Sequence, residues 1–479
     1  MLTEAEILQF INEDRTSTKK RNAEEGQRYY DAEHDILNYR MFYFNADGKL
    51  VEDKNRSNIR IPHPFFTELV DQEVQYMLSG KDGYIFSDDP DLQQALDEYF
   101  DDDFTAELAD VMTGAVIKGF EYMYAYRSAN DRFAFQHADG MGVVEVRAKD
   151  TDDGCEYVIF WYVDRIAKDN TQIKRIQVWD SRQTYFYVQK GSGQLEKDTS
   201  EKLNPRPHVT YKKPGEEAIY YDDFGFIPFF RLDNNKKQVS SLKPIKGLID
   251  DYDIMSCSLS NNLVDFDHPL HVVKGFRGDN LDELSQNLKT KKMIGVDADG
   301  GVEVHTVDVP YQARLTKMQE DEKNIYRFGM GFNSAQLGDG NVTNVVIRSR
   351  YALLDLKCNK LETRLRQFLG RILRVVIDEI NRKTDSAYDL SDVYIKFTRE
   401  VMTNALDNAT IEKTKAETRQ IEINTILSIA NVIDDDTVIR QVCDVLDLDY
   451  DEIKDGAVTD PAPATQAALD LLGQVIPSE

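Results

Sequence analysis

The sequence predicts an α+β fold, on three observations. Apolar residues recur at three- and four-residue spacing through much of the first hundred residues and again after Asn235, the spacing of amphipathic helices. Between Gly119 and about Lys190 the period changes to two, with β-branched and aromatic residues in short runs. A further helical pattern runs without a proline from Ser349 to Lys383, far beyond the ~11–12 residues of an average helix.

The elements follow in order. In the helical first hundred residues, Phe66, Leu69, Val70, Glu73 and Met77 share one face of a helix that Pro64 starts and Gly80 ends. The strand runs are Phe120–Tyr126, Gly142–Val146, Tyr157–Val163, Ile173–Trp179 and Thr184–Val188, separated by turn signals such as Asp139-Gly140, and an antiparallel meander fits them. After a polar stretch from Gly191 to Gly215, the apolar run Phe224–Phe230 reads as exposed and closes at Asn234-Asn235. Leu242, Ile245, Leu248, Ile249, Tyr252, Met255, Leu259 and Leu263 then trace a stripe on a helix from Pro244 to about Asp267, which His268-Pro269 stops. A compact segment, Leu270–Pro310, holds short β-like runs around Asp-Gly turns, and a helix from Tyr311 to about Phe328 leads into a Gly- and Asn-rich loop. In the long pattern, Leu354, Cys358, Leu361, Leu365, Phe368, Ile372, Val376 and Ile380 keep one stripe on a rod of roughly 50 Å. A strand at Val393–Phe397, helices at Ile411–Val432 and Thr437–Leu446, and a mobile Pro/Ala-rich tail from Ala457 complete the reading.

Composition bounds the function. The 479 residues carry 58 Lys+Arg against 85 Asp+Glu, a formal charge of −27, with 41% apolar residues, enough for real cores. Such acidity argues against gripping DNA through a basic face, since neutralised phosphates supply that affinity. No stretch approaches the ~18 apolar residues of a membrane helix, and MLTEAEILQF carries acids where a signal peptide carries Lys or Arg, so a soluble protein made in a cytoplasm is expected. Cys155, Cys257, Cys358 and Cys443 lie about a hundred residues apart, without zinc spacing or disulfide density, and are expected to be buried thiols.

Catalytic chemistry finds no anchor. G-x-x-x-x-G-K-[ST] is absent, and Gly329-Met330-Gly331 follows a helix where a dinucleotide fingerprint follows a strand. His268 and His271 lack a carboxylate motif. Asp297-Ala298-Asp299-Gly300 lacks the closing Glu of a calcium loop and reads as a β-turn. The clusters Asp101–Asp103 and Asp434–Asp436 fit helix starts better than a metal site, because adjacent positions do not converge on one ion. Asn341-Val342-Thr343 matches a glycosylation sequon without consequence in a cytoplasmic chain. No cofactor, metal or catalytic set is therefore assigned. The remaining alternatives are a Mg²⁺-dependent nuclease or phosphoesterase, or a structural connector protein.

The Tyr29–Leu37 block, Pro64-Phe65-Phe66 with Leu69-Val70-Asp71 and Tyr76, Gly119 with its aromatic strand, Gly225–Phe229 ending at Asn234-Asn235, Ile249–Asp253, and Tyr351…Leu354…Lys357…Glu362 follow one another in an order that resembles the portal proteins of tailed bacteriophages, of the type found in long-tailed phages of Gram-positive bacteria. The resemblance covers about residues 25–400. It implies a non-enzymatic ring, usually of twelve subunits, at one capsid vertex in the virion, assembled in the host cytoplasm, through which double-stranded DNA is packaged and ejected. The implied parts are a wing (1–243, with the long helix and strand of 349–397), stem helices (244–267 and 311–328), a clip (268–310), a tunnel loop (329–348) and a crown with tail (398–479). Terminase, major capsid and scaffolding proteins and a head-completion adaptor are the implied partners, with no membrane. The implied DNA-facing residues are Asn333, Asn341, Val342, Thr343, Asn344 and Arg348. For partner docking they are His271, Lys274, Arg277, Asp279, Asp297 and Asp299. Where family members often carry an Ala-Ser-Gly run before the long helix, this chain has Asn341–Arg348. A cap or pairing role for Arg348 and Arg350 near the helix start stands beside a phosphate contact. Acidic channel walls suit passage without gripping.

Overall fold

The computed structural model describes residues 1–450 apart from 55, 81–82, 128–132, 148–153, 168–169, 213–218, 267–269, 277–279, 281, 283, 285–295, 306–309, 334–343, 401–404, 430–434 and 447. The chain divides into two compact units, one formed by residues 1–337 and 350–400 and the other by 338–349 and 401–479.

In the first unit, α1 (Glu4–Arg15) opens with a capping box: Glu6 N–H donates to Thr3 Oγ1, and Thr3 N–H donates to Glu6 Oε2 at 2.8 Å. After it come α2 (Thr18–Tyr30), a hairpin of β1 (Phe42–Phe44) and β2 (Leu50–Glu52), α3 (Phe65–Met77), β3 (Ile85–Ser87), α4 (Pro90–Asp97) and α5 (Asp102–Lys118). Asp101 caps α5 by accepting from Phe104 N–H, so the aspartate cluster is a helix start as its spacing predicts. The expected face of α3 is buried at Phe66, Leu69, Val70, Glu73 and Met77, although the helix ends at Met77 rather than at Gly80. The hairpin departs from the helical reading of the first hundred residues. Asn45-Ala46-Asp47-Gly48 turns the chain there, with Gly48 at φ +73° and Asn45 N–H donating to Lys49 O.

The strands are β4 (Phe120–Arg127), β5 (Phe133–Ala138), β6 (Val143–Arg147), β7 (Cys155–Ile166), β8 (Gln172–Trp179), β9 (Gln183–Lys190), β10 (Leu195–Lys197), β11 (Arg206–Pro207), β12 (Val209–Lys212), β13 (Ile219–Asp222) and β14 (Phe229–Asp233). β6 through β10 form the expected antiparallel meander, with β11 also on β9. β4, however, sits in a separate three-stranded sheet of order β14-β4-β5. Period-two alternation sends neighbouring residues of the meander into two cores. Val144, Val146, Ile159, Ile176 and Val178 meet Ile7 and Ile11 of α1 on one face. Val143, Val158 and Trp179 meet Phe120, Tyr122 and Ala23 on the other. Covering both faces explains the continuous apolar run Tyr157–Val163 in the middle of β7.

The Phe224–Phe230 run is not an exposed face. Phe224 lies against Phe133 (centroids 5.0 Å apart), and Phe229 stacks on Tyr124 (5.4 Å) and meets Trp179 edge-on (5.4 Å). It closes the second core from inside the subunit, an aromatic partnership that local sequence does not reveal.

Beyond it come α6 (Lys246–Phe266), the pair β15 (Leu270–Phe276) and β16 (Val296–His305), α7 (Tyr311–Gly329), the 41-residue α8 (Asn344–Thr384) and β17 (Val393–Ile395), which pairs with β3. Every residue of the stripe expected on α8, from Leu354 to Ile380, is buried. The boundary between the units crosses its first turns. In the second unit, α9 (Ala405–Ile429) and α10 (Asp435–Leu446) pack together, with Val438 and Cys443 of α10 buried. Of the four cysteines, Cys155 is exposed at the start of β7, against expectation, while the other three are buried. Asp434 and the tail lie outside the described residues. Among the described residues no helix is long and apolar enough to cross a membrane.

Candidate functional site: a helix pair, its hairpin and a clamped loop root

The inner face of α6 is polar in a way its apolar pattern conceals. Leu242, Ile245 and Ile249 are buried as expected, but Leu263 is 55% exposed, and the face continues inward through Asp253, Cys257 and Asn261. The extended segment 57–63 lies along this face. Ser57, Ile59, Ile61 and His63 donate their N–H groups to Asp265 Oδ1 (3.2 Å), Asn261 Oδ1 (2.7 Å), Cys257 Sγ (3.2 Å) and Asp253 Oδ1 (2.9 Å). Two extended residues advance ~6.6 Å and four helical residues ~6 Å, so a strand read at every second residue stays in step with a helix read at every fourth.

Asp253 anchors the ladder. Its carboxylate, fully buried, takes His34 Nδ1 at 2.7 Å on one oxygen and His63 Nδ1 at 2.7 Å on the other. The second nitrogen of the buried His34 faces Tyr29 O at 3.2 Å, and its ring stacks on Tyr29 at 4.5 Å. Both nitrogens of His34 thus face oxygen atoms of other residues. Burial pushes the Asp253 carboxyl up, but the hydrogen bonds and charge of the two imidazoles outweigh it and hold the group below the ordinary carboxylate range. Two turns earlier, Lys246 donates to Asp35 (2.7 Å) and Asp250 (2.8 Å), and Tyr29 OH donates to Asp250.

Helices α6 and α7 pack on one another. Lys317 bridges Asp251 of α6 and Asp321 of α7, while Phe65 stands edge-on to both Tyr252 (4.9 Å) and Tyr326 (6.1 Å). Between the helices, β15 and β16 pair antiparallel from Leu270 opposite His305. His271 is placed opposite Val304, and Lys274 pairs with Glu303 at 2.7 Å. Asp297 and Asp299 are exposed on β16, so Asp297–Gly300 is part of a bulged strand rather than a β-turn. Gly275 opposite it, at φ +66°, supplies the left-handed residue that the register shift requires. Arg277 and Asp279 lie outside the described residues.

After α7 the loop root is clamped. Met330 adopts a left-handed cap, and Gly331 N–H returns to Tyr326 O at 2.9 Å. A Cβ on Gly331 would stand 2.0 Å from Leu69 Cδ2, so any side chain there would force Leu69 of α3 to move. The Gln72 amide brackets Phe332, donating to its carbonyl at 2.8 Å and accepting from its N–H at 3.0 Å. Phe332 stacks on Tyr351 of α8 at 4.7 Å. Asn333 donates to Glu322 at 2.9 Å and so is a strut of the root. Asn344, the first residue of α8, is buried, and Arg348 is exposed. Asn341, Val342 and Thr343 lie outside the described residues. Sequence reasoning missed Gln72, Glu322, the Asp253 ladder and the buried Lys357–Glu73 pair (2.9 Å). Buried-face acids at Glu73 and Asp253 are the signal that something must pair with them.

The polar groups of these arrangements hold helices, an extended segment and a loop root in register. Residues 9–454 match the family described as "Phage portal protein, SPP1 Gp6-like", and the chain belongs to that family of phage portal proteins. It is 30% identical to the portal protein of Bacillus phage SPP1 over 344 residues, which are 71% of this chain and 66% of that relative. It is 22% identical to the portal protein of Clostridium phage phiCD119 over 403 residues, 79% of this chain and 85% of the relative.

Proposed function

We propose that the chain assembles into a ring, of twelve copies as the family resemblance implies, that forms a channel at one capsid vertex for packaging and ejecting double-stranded DNA. In this reading 1–243 with 349–397 is the wing, α6 and α7 are the stem, and 268–310 is the clip that docks terminase and later the head-completion adaptor. Residues 329–348 are the tunnel loop, and 398 onward is the crown. The ring meets capsid and scaffolding proteins at the vertex and performs no catalysis, leaving ATP hydrolysis to the terminase.

The observation that carries this reading is the packed α6–hairpin–α7 excursion, followed directly by a loop root fixed to α3, α7 and the 41-residue α8. A loop so rooted transmits force from its tip to the helices without losing its base. Charge supports it too: at −27 per copy, a ring repels phosphate more than it binds it, which favours passage. Asn333, Asn341, Val342, Thr343, Asn344 and Arg348 are assigned to the DNA-facing side of the loop, its root and its exit. His271, Lys274, Arg277, Asp279, Asp297 and Asp299 are assigned to clip docking.

Native mass spectrometry and negative-stain microscopy of the purified full chain test the reading. Rings with a central hole are expected, and a variant lacking Leu270–Pro310 is expected to form rings that do not recruit terminase. A single 55.0 kDa chain at every concentration and salt overturns it.

A further inference from the structure

The β1–β2 hairpin is apolar on both of its faces and covered on neither. Its register places Phe42 and Phe44 with Leu50 on one face and Tyr43 opposite Val51 on the other. Phe42 is 54% exposed, Tyr43 48% and Phe44 73%. At ~200 Å² per aromatic side chain, these three rings leave roughly 350 Å² of apolar surface in the open. Leu50 and Val51 are also exposed and bring the total over the two faces to roughly 500 Å². That is the range of the largest apolar patches of a typical monomer, ~300–600 Å², which often mark a contact surface.

The hairpin is also built to a fixed shape. Asp53 N–H donates to Met41 O at 2.9 Å, closing the strands at their open end, and Asn45 Oδ1 accepts from Asp47 and Lys49 N–H across the turn. Its far side is tied to the α6 ladder through Ser57 and Asp265, beside which Leu263 and Val264 of α6 are exposed as well. A rigid ribbon with two bare apolar faces is half of an interface, since an isolated two-stranded hairpin is marginal in water.

Charge says what the other half is. Between residues 40 and 60 there are five Lys and Arg against three Asp and Glu, a cationic island on a chain whose total is −27. Every other part of the protein is therefore, taken together, more acidic than the whole. The best-matched surface for this ribbon is another copy of the same chain.

We propose that the β1–β2 hairpin is the element by which one copy locks onto the next. The proposal rests on the ring reading given above. Each copy gives its hairpin to one neighbour and receives that of the other, the head-to-tail contact that closes a ring.

The test uses the full chain, wild type and F42S/F44S, with native mass spectrometry across a concentration series. The variant is expected to raise the concentration of half-assembly by about 30-fold or more, the loss typical of a buried aromatic anchor, with an unchanged circular dichroism spectrum. Assembly of the variant at the wild-type concentration overturns the hairpin contact and leaves the ring reading standing, whereas a wild type that never assembles overturns the ring reading itself. A second measurement does not depend on the variant's folding. With Tyr43→p-benzoylphenylalanine, irradiation of assembled rings is expected to give a band of twice the chain mass. Its absence, or cross-linking only to a co-expressed capsid protein, overturns the proposal.

Discussion

Replacing Asp253 by alanine removes the carboxylate on which two separate pieces of chain, at His34 and at His63, converge. It accepts His34 Nδ1, His63 Nδ1 and His63 N–H at 2.7, 2.7 and 2.9 Å, and no part of it reaches solvent. Hydrogen bonds to a charged group contribute ~1.5–3 kcal/mol each, but they share one acceptor and do not add. The better measure is the ~1–3 kcal/mol lost for each buried polar group left without its partner, and the removal strands His34, His63 Nδ1 and His63 N–H together. We expect Asp253→Ala to lower unfolding free energy by about 4 kcal/mol in urea denaturation of the full chain followed by near-UV circular dichroism. Asp253→Asn is expected to lose less, because it keeps the shape and one acceptor oxygen. A double-mutant cycle of Asp253→Ala with His34→Ala is expected to give a coupling of at least about 1.5 kcal/mol. A loss under about 1 kcal/mol, with no coupling, refutes the view that this triad holds the 57–63 segment against α6.

Three further outcomes follow from the same packing. Acid should destabilise the chain through Asp253: a carboxyl depressed on folding adds stability that is present above the unfolded value near pH ~4 and is lost as pH falls through the lower folded value, so the slope of stability below pH ~4 should be shallower in Asp253→Asn. Asp35, which is partly buried but held down to about 2 by Lys246 and Arg28, contributes in the same window, weakened by its exposure to solvent. Gly331→Ala should cost about 1–3 kcal/mol by driving a methyl into Leu69, and Leu69→Ala in the same chain should recover part of it, as denaturation curves will show. A thiol reagent should modify Cys155 in the native chain and the other three cysteines only on unfolding, Cys358 being further protected while folded because burial pushes its thiol up to about 12; mass spectrometry of the labelled peptides checks this.

The sequence by itself determined the elements that depend on local periodicity. The stripe of α8, the buried face of α3, the span of α7 and the β-runs from Val143 to Lys190 could be read because each repeats a pattern within a few residues, and burial on one side or both enforces it. The order of weak motifs also carried the family. Of the site, the positions of the helix pair, the hairpin between them and the loop were legible, but not what fixes them.

Tertiary structure alone decided the rest. It placed β4 with β5 and β14 rather than in the meander, folded Phe224–Phe230 inward, and made Asn333 a strut on Glu322. It turned the inner face of α6 polar, because the partner there is a backbone strand offering N–H groups at every second residue, and a periodicity of apolar side chains carries no trace of such a partner. Gln72 meets Phe332 across 260 residues of sequence, and Asp253 meets His34 across 219. Hydrogen bonds and buried charges are satisfied by whichever group the fold brings near, so their partners are set by three-dimensional position, whereas hydrophobic faces are written into the chain residue by residue.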